Sequence, residues 1–223
     1  MKILHIETSS KNCSVAISDG EELLCLCEEV SENYKQSESL HTFVEWALEG
    51  AEISLKEIEA VSLGKGPGSY TGLRIGAASA KGFCYGLKVP LIAVNSLETM
   101  IEPFLGQNYD VIIPLIDARR MEVYCAVFDG NSGEMLTETE AKILDEQSFK
   151  ELEGKKILFV GDGAKKAQEI LQISGADFNE NVYPSAKYLI KKSVENFNRQ
   201  DFEDVAYFEP FYLKDFHGVK KKS

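Results

Sequence analysis

Three carboxylates and one glycine-rich loop stand out in this sequence as residues whose types and positions could do chemistry. Glu7 and Asp117 each end a short apolar run, and Asp162 lies within Gly161-Asp162-Gly163. Brought together in a cleft, such side chains would suit a hard cation and the phosphates it carries. They would serve equally as strand-end and turn residues facing water, and the sequence favours that plainer role. The loop Gly64-Lys65-Gly66-Pro67-Gly68-Ser69-Tyr70-Thr71-Gly72 joins an apolar run to a helical pattern. Its glycines permit positive φ, and Ser69 or Thr71 can cap the helix. N–H groups exposed there, beside Lys65 or Arg74, could hold a phosphate or a carboxylate. No Gly-Lys-Ser/Thr follows, so this is not a Walker A loop, and Gly68 directly precedes Ser69, so it is not a nucleophile elbow. A structural strand-to-helix turn is its simpler use.

Two guanidiniums fall on a strand tip in Asp117-Ala118-Arg119-Arg120-Met121-Glu122, where they could meet a partner's carboxylate, an anion in the cleft, or only water. The histidines offer less. His5 lies inside a strand, His41 has only Glu45 at a matching helical spacing, and His217 is near the end of the chain. A metal site needs convergent ligands, and none can be assembled from these residues.

The elements that must position these residues follow one plan used twice. In the first half, strands over 3–6, 13–18 and 23–27 flank a turn at Asp19-Gly20. A helix over 37–51 follows, with Leu40, Phe43, Val44, Ala47, Leu48 and Ala51 at 3.6-residue spacing. Ser54 and Glu57 read as a capping box before a strand over 60–63, and the glycine loop then opens a helix over 73–85. Small residues on several faces of that helix (Gly76, Ala77, Ala78, Ser79, Ala80, Gly82) let it be approached from two sides, by its own sheet and by a partner. The second half repeats the order: strands over 111–116 and 123–128, a turn at Asp129-Gly130, a strand near 135–144, a helix over 145–152, a strand over 156–160, and helices over 164–171 and 186–198. CSVAISDG and VYCAVFDG occupy the same place in each half. This is the plan of the duplicated ribonuclease H-like, actin-like α/β fold, with mixed sheets flanked by helices. A boundary at 105–110 divides it into 1–106 and 107–223.

Composition narrows the function classes. With 44% hydrophobic residues the chain can bury a full core, and no stretch is apolar for the length of a bilayer crossing. A soluble, cytoplasmic protein is expected, with its five cysteines reduced. A net charge of −12 opposes direct, strong binding to nucleic acid. The basic run Lys220 to Lys222 reads as a solvated tail.

GKGPGSYTGLRIGAASAKG resembles the signature of the TsaB (YeaZ) family, and ILHIETS, CSVAI, PLIAVNSLE, IDARRMEVY and EPFYLKD extend the resemblance along nearly the whole chain, more loosely over 130–204. The resemblance implies a non-catalytic partner of the transferase TsaD, which moves threonylcarbamoyl onto an adenosine beside the anticodon, with the ATPase TsaE as a further partner. It also implies pairing through the first two long helices, as a homodimer or with TsaD. On those helices Leu40, Phe43, Val44, Ala47, Arg74, Ile75, Ala78 and Lys81 become candidates for the interface. Glu7, Lys65, Gly66, Gly68, Ser69, Asp117, Arg119, Gly161, Asp162 and Gly163 become candidates to contact a nucleotide. No cofactor is expected on the chain alone; ATP or ADP would lie at the junction with the partner, and tRNA would be met through the complex. Glu7 stands where the family usually has Asp, Gln36 where His is common, and Lys214 where Arg is common. Two other functions fit the same fold: an active sugar- or acetate-kinase-like phosphotransferase, which needs an intact cleft and a base, and a metallopeptidase, which needs the missing histidine ligands.

Overall fold

Both faces of the first sheet are covered, which is why its strands read as nearly unbroken apolar runs. In the computed structural model, residues 1–31 and 36–214 are described, the side chains of 36–38 excepted. His217, the Lys220 to Lys222 run and the side chain of Gln36 lie outside the described residues. Strands β1 (Lys2–Glu7), β2 (Asn12–Asp19), β3 (Glu22–Val30), β4 (Ala60–Gly64) and β5 (Leu91–Val94) form a sheet of order β3-β2-β1-β4-β5. Within it β1, β4 and β5 are parallel, and β2 and β3 run against them. Helix α1 (Gln36–Gly50) and helix α2 (Tyr70–Leu87) cover one face, burying Leu4, Ile6, Val15, Ile17 and Leu63.

The second sheet repeats the order. Strands β6 (Val111–Asp117), β7 (Glu122–Cys125), β9 (Glu140–Ile143), β10 (Ile157–Val160) and β11 (Ala176–Asn179) run β11-β10-β6-β7-β9, and the short β8 (Phe128–Asp129) pairs with β6 beside β7. Again the first, fourth and fifth strands are parallel, so the duplicated ribonuclease H-like, actin-like plan holds in both halves. Helix α4 (Ala164–Ile170) covers the face bearing Val111, Ile113 and Leu115.

The two sheets exchange their remaining helices. Helix α3 (Ser96–Ile101), which follows β5, packs Leu97, Met100 and Ile101 on Ile112, Ile116 and Val160 of the second sheet. Helix α5 (Ile190–Arg199) and the 3-10 turn Ala186–Leu189 before it pack on Ile3, Ala16, Ile92 and Val94 of the first. A line drawn at residue 106 separates the sheets but not the packed layers.

Several local expectations change for identifiable reasons. Helix α2 starts at Tyr70 because Ser69 accepts the Gly72 N–H as N-cap, and the Ser54/Glu57 capping box forms as its sequence suggests. The helix expected over 145–152 is only the 3-10 turn Lys150–Leu152. Asp145 accepts from the Gln147 N–H and the Ser148 hydroxyl, and buried Phe149 has φ 64°, so the chain turns instead of winding. The strand expected over 123–128 breaks between β7 and β8, where Val127 N–H turns to Thr137 Oγ1.

Candidate functional site

The glycine loop is filled by the chain's own β1–β2 tip. Ser69 N–H donates to Ser9 O (2.6 Å), Thr8 Oγ1 donates to Gly72 O (2.8 Å), and Gly66 N–H donates to Ser96 Oγ (3.2 Å). A Cβ at Gly68 would lie 2.2 Å from Ser9 O, and one at Gly72 would lie 2.0 Å from Thr8 O. These glycines are needed for backbone to lie on backbone. The N–H groups of Gly66, Ser69 and Gly72, which could have cradled an anion, are already paired inside the chain. Lys65 faces elsewhere: with Glu203, Asp204 and Phe211 it lines a surface groove of about 380 Å³. Gly161 and Gly163 follow suit, their N–H groups donating to Asn179 O and Leu115 O.

Asp117 and Asp162 lie together, and Glu7 does not join them. Glu7 is fully buried, accepting from Ser9 N–H (2.7 Å) and from the Ser96 hydroxyl (2.9 Å). Burial raises its pKa against the pull of those bonds. It ties the β1 tip to the start of α3 and is not presented to a cleft. Asp117 stands in water on its tip, with Oδ1 held by Arg119 N–H (2.6 Å) and by the Lys166 ammonium (2.8 Å). Asp162 accepts from Asp117 N–H (2.8 Å), and burial raises its pKa. The cause is strand parity. Glu7 shares a face with Ile3, toward α5, whereas Asp117 shares one with Val111, Ile113 and Leu115, toward α4. Because α4 follows β10 as α2 follows β4, matched strand-end acids would have to share the α2/α4 side, and Glu7 is one residue out of step.

The hairpin tip of the second sheet carries an unusual backbone. Arg119 (φ 68°) and Arg120 (φ 53°) are both left-handed, a conformation costing a side-chain-bearing residue roughly 1–2 kcal/mol. Lys166, mostly buried, holds the tip by donating to Asp117 Oδ1 and to the carbonyls of Arg120 (3.0 Å) and Glu122. Its three N–H groups are used on three acceptors. Lys214 pairs with Glu122.

On the helix pair, Leu40, Phe43, Val44 and Ala47 are buried in the core beneath α1, so the chain's own sheet takes the face expected to meet a partner. The apolar stripe marks the core side. Ile75 is half-buried against the same core, and Lys81 donates to Ala206 O. Arg74 and Ala78 are exposed on α2, as are two residues the stripe did not single out, Trp46 on α1 (55%) and Tyr85 on α2 (85%). A strap over 203–214 runs along one flank of α2. Glu203 N–H donates to Leu91 O, Phe211 N–H to Lys65 O, and the Tyr212 ring lies 4.8 Å from that of Tyr70, which Arg74 also covers at 4.2 Å.

The two described histidines and the three buried thiols bond or pack within the chain. His5 is fully buried, its ring bonded to Ser18 Oγ (2.8 Å) and near Ser193 Oγ (3.4 Å), and burial lowers its pKa to about 3. His41 meets Ser79 Oγ at 3.4 Å. Burial pushes the thiols of Cys13, Cys84 and Cys125 up to about 12. Among the described residues no three His, Cys, Asp or Glu side chains gather as metal ligands would, and no helix is long and apolar enough to cross a membrane.

Comparison with known proteins places this architecture. The family described as TsaD: tRNA N6-adenosine threonylcarbamoyltransferase matches residues 28–215. The protein of Escherichia coli (strain K12) named tRNA threonylcarbamoyladenosine biosynthesis protein TsaB is 31% identical over 235 residues, covering 99% of this chain and 98% of that protein. The chain belongs to the TsaB (YeaZ) family. TsaB of Bacillus subtilis (strain 168) is 27% identical, covering 96% of this chain and 94% of that protein. The solved structure of YeaZ from Pseudomonas aeruginosa has the same fold, with a TM-score of 0.82 at 24% identity over 95% of this chain and 100% of that one. In this TsaB-family chain, of the ten residues considered for nucleotide contact, Arg119 alone displays a charged group that is exposed and has no ion-pair partner among the described residues.

Proposed function

We propose that this chain is a non-catalytic subunit of tRNA threonylcarbamoyladenosine biosynthesis. It pairs with a TsaD-type transferase acting on the adenosine beside the anticodon in tRNAs that read codons beginning with A. A TsaE-type ATPase is a further partner, ATP or ADP sits at the junction of the subunits, and tRNA is met through the complex in the cytoplasm. Alone, the chain pairs with itself. The observation that carries this reading is kinship along nearly the whole chain to proteins named for that pathway. The site supports the non-catalytic part, since its strand-tip acids bond to the chain's own N–H, hydroxyl and ammonium groups. The exposed face of α2, with Ala78 between Arg74 and Tyr85, supports close approach by another helix.

The test is reconstitution of threonylcarbamoyl transfer to tRNA from purified subunits, with and without this chain. Transfer should depend on the chain, while the chain alone should hydrolyse neither ATP nor peptides. Hydrolysis by the chain alone that disappears in Asp117→Ala would sink the reading. Ala78→Arg should lower association with the transferase subunit by about a hundredfold, the equivalent of roughly 3 kcal/mol of overpacking, with normal melting. Unchanged association would place the interface elsewhere.

A further inference from the structure

The hairpin tip Arg119-Arg120 is displayed at a backbone cost that its surroundings maintain. Consecutive positive φ values in the loop 118–121 between two strands are ordinarily taken by glycine or asparagine, because those residues tolerate the conformation. Here two arginines take it, and Lys166, Asp117 and Asp162 supply the bonds that hold it. Strained backbone that its neighbours over-determine is a pointer to function. The local acids are already engaged, Asp117 with Lys166 and Glu122 with Lys214, so they do not neutralise the guanidiniums. Neither Arg119 nor Arg120 has an ion-pair partner among the described residues, and both are exposed in a chain of net charge −12.

Beside the guanidiniums lies an exposed apolar side chain, Met121 (40% exposed), which follows Arg120 directly. Leu144 N–H donates to Met121 O, which ties the tip to the end of β9. Arginine and methionine together are the composition of a protein contact. A polynucleotide would need several phosphates neutralised to bind firmly, and two guanidiniums on an acidic protein are too few.

We propose that the Arg119-Arg120 tip, with Met121, is a second docking surface that takes a protein segment in which paired carboxylates flank an apolar residue. Its guanidinium forks grip the carboxylates. The proposal rests on the subunit reading above and assigns that segment to the transferase-type partner, at a place apart from the α1/α2 face. Lys166 is a positioning residue for it.

The experiment measures association of the full chain with the purified transferase-type subunit at two salt concentrations, and gel-shift binding of tRNA to the reconstituted complex. Three double variants are compared: Arg119→Gly with Arg120→Gly, Arg119→Glu with Arg120→Glu, and Arg119→Lys with Arg120→Lys. Glycine suits the turn, so loss in the first variant is not a folding failure, and melting curves confirm it. The proposal expects at least a tenfold loss of affinity in the glycine and glutamate variants. The loss should shrink at high salt, and lysine should restore it only in part, because an ammonium lacks the fork. Equal affinity in wild type and glycine variant overturns the proposal. Loss of tRNA binding with protein association intact assigns the arginines to a polyanion and overturns it too. If the wild-type chain does not associate at all, the subunit reading itself fails and takes this inference with it.

Discussion

Each sheet opens with a strand that ends on a carboxylate, yet the two tips have opposite fates. The tip after Glu7 is covered: the glycine loop lies on Thr8 and Ser9, and α2 begins directly from it. The tip after Asp117 is open, with two left-handed arginines and a mostly buried lysine beneath them. The helices that follow differ likewise, 18 residues in α2 against 7 in α4, so the longer can both cover its sheet and keep an outer face. Duplication supplied one scaffold, and parity with glycine placement made one tip part of the core and the other part of the surface. The first tip should therefore be intolerant of added atoms, and the second tolerant of them.

The largest effect is expected where the covered tip is tightest. Gly72→Ala puts a methyl group 2.0 Å from Thr8 O, a backbone atom that cannot swing aside. Overpacking of this kind costs about 3 kcal/mol. Chemical denaturation at neutral pH checks it, and a loss below about 1 kcal/mol would mean the loop and the β1–β2 tip are not pressed together in solution.

A second difference lies in the face of each sheet away from its α2 or α4 helix. The first sheet buries His5 there, within reach of Ser18 and Ser193, whereas the second has Ile112, Ile116, Leu158 and Val160. His5 has a folded pKa near 3 against 6.5 unfolded, so its contribution is complete above pH 6.5 and is lost as pH falls toward 3. The slope is up to about 1.4 kcal/mol per pH unit, or about 2–3 kcal/mol by pH 4.5. Glu7 acts oppositely. Its raised pKa leaves the folded state protonated where the unfolded state is not, so its contribution falls as pH rises through that window. Comparing wild type with His5→Gln at each pH isolates the histidine. Parallel stability curves for the two would show that His5 is solvated in the folded protein.

Much of this arrangement is legible in the sequence, and the failures have physical reasons. Apolar runs bounded by turn residues mark β1, β2, β6 and β10, and the Ser54/Glu57 pair announces its cap. The four-residue strands β5 and β11 give no periodicity to read, and the strap over 203–214 is held by backbone bonds and by the Tyr70, Arg74 and Tyr212 contact, which follow no helical or strand spacing. The spacing of Leu40, Phe43, Val44 and Ala47 reports the core face, which leaves only the remaining positions of α1 open to solvent, where Trp46 is the one large apolar residue off the stripe. Glu7 and Asp117 look equivalent because both end strands. Only strand parity, counted from the helix each sheet packs against, separates them.

At the open tip the effects should be smaller. Lys166→Met keeps the length of the side chain and removes the ammonium that joins Asp117 to the carbonyls of Arg120 and Glu122. Asp117 is 42% exposed, so water takes up part of the loss and the expected cost is about 1–2 kcal/mol. Raised mobility should be confined to 117–122, read by amide hydrogen exchange. Exchange that quickens across the whole second sheet instead would give Lys166 a core role and weaken the contrast between the tips.

The smallest effect has the opposite sign. Arg120→Gly removes a side chain from a residue with φ 53°, where the left-handed backbone costs an arginine roughly 1–2 kcal/mol. Glycine adopts that backbone freely but loses roughly 0.5–1 kcal/mol more conformational entropy on folding. The balance is a gain of up to about 1.5 kcal/mol. Such a gain at a surface position means that the native arginine is retained against stability, and function is the ordinary reason for that. Urea denaturation of the two proteins decides the sign. A loss on Arg120→Gly would show that this side chain packs or pairs within the chain itself, and the tip would then belong with the covered one as part of the structure.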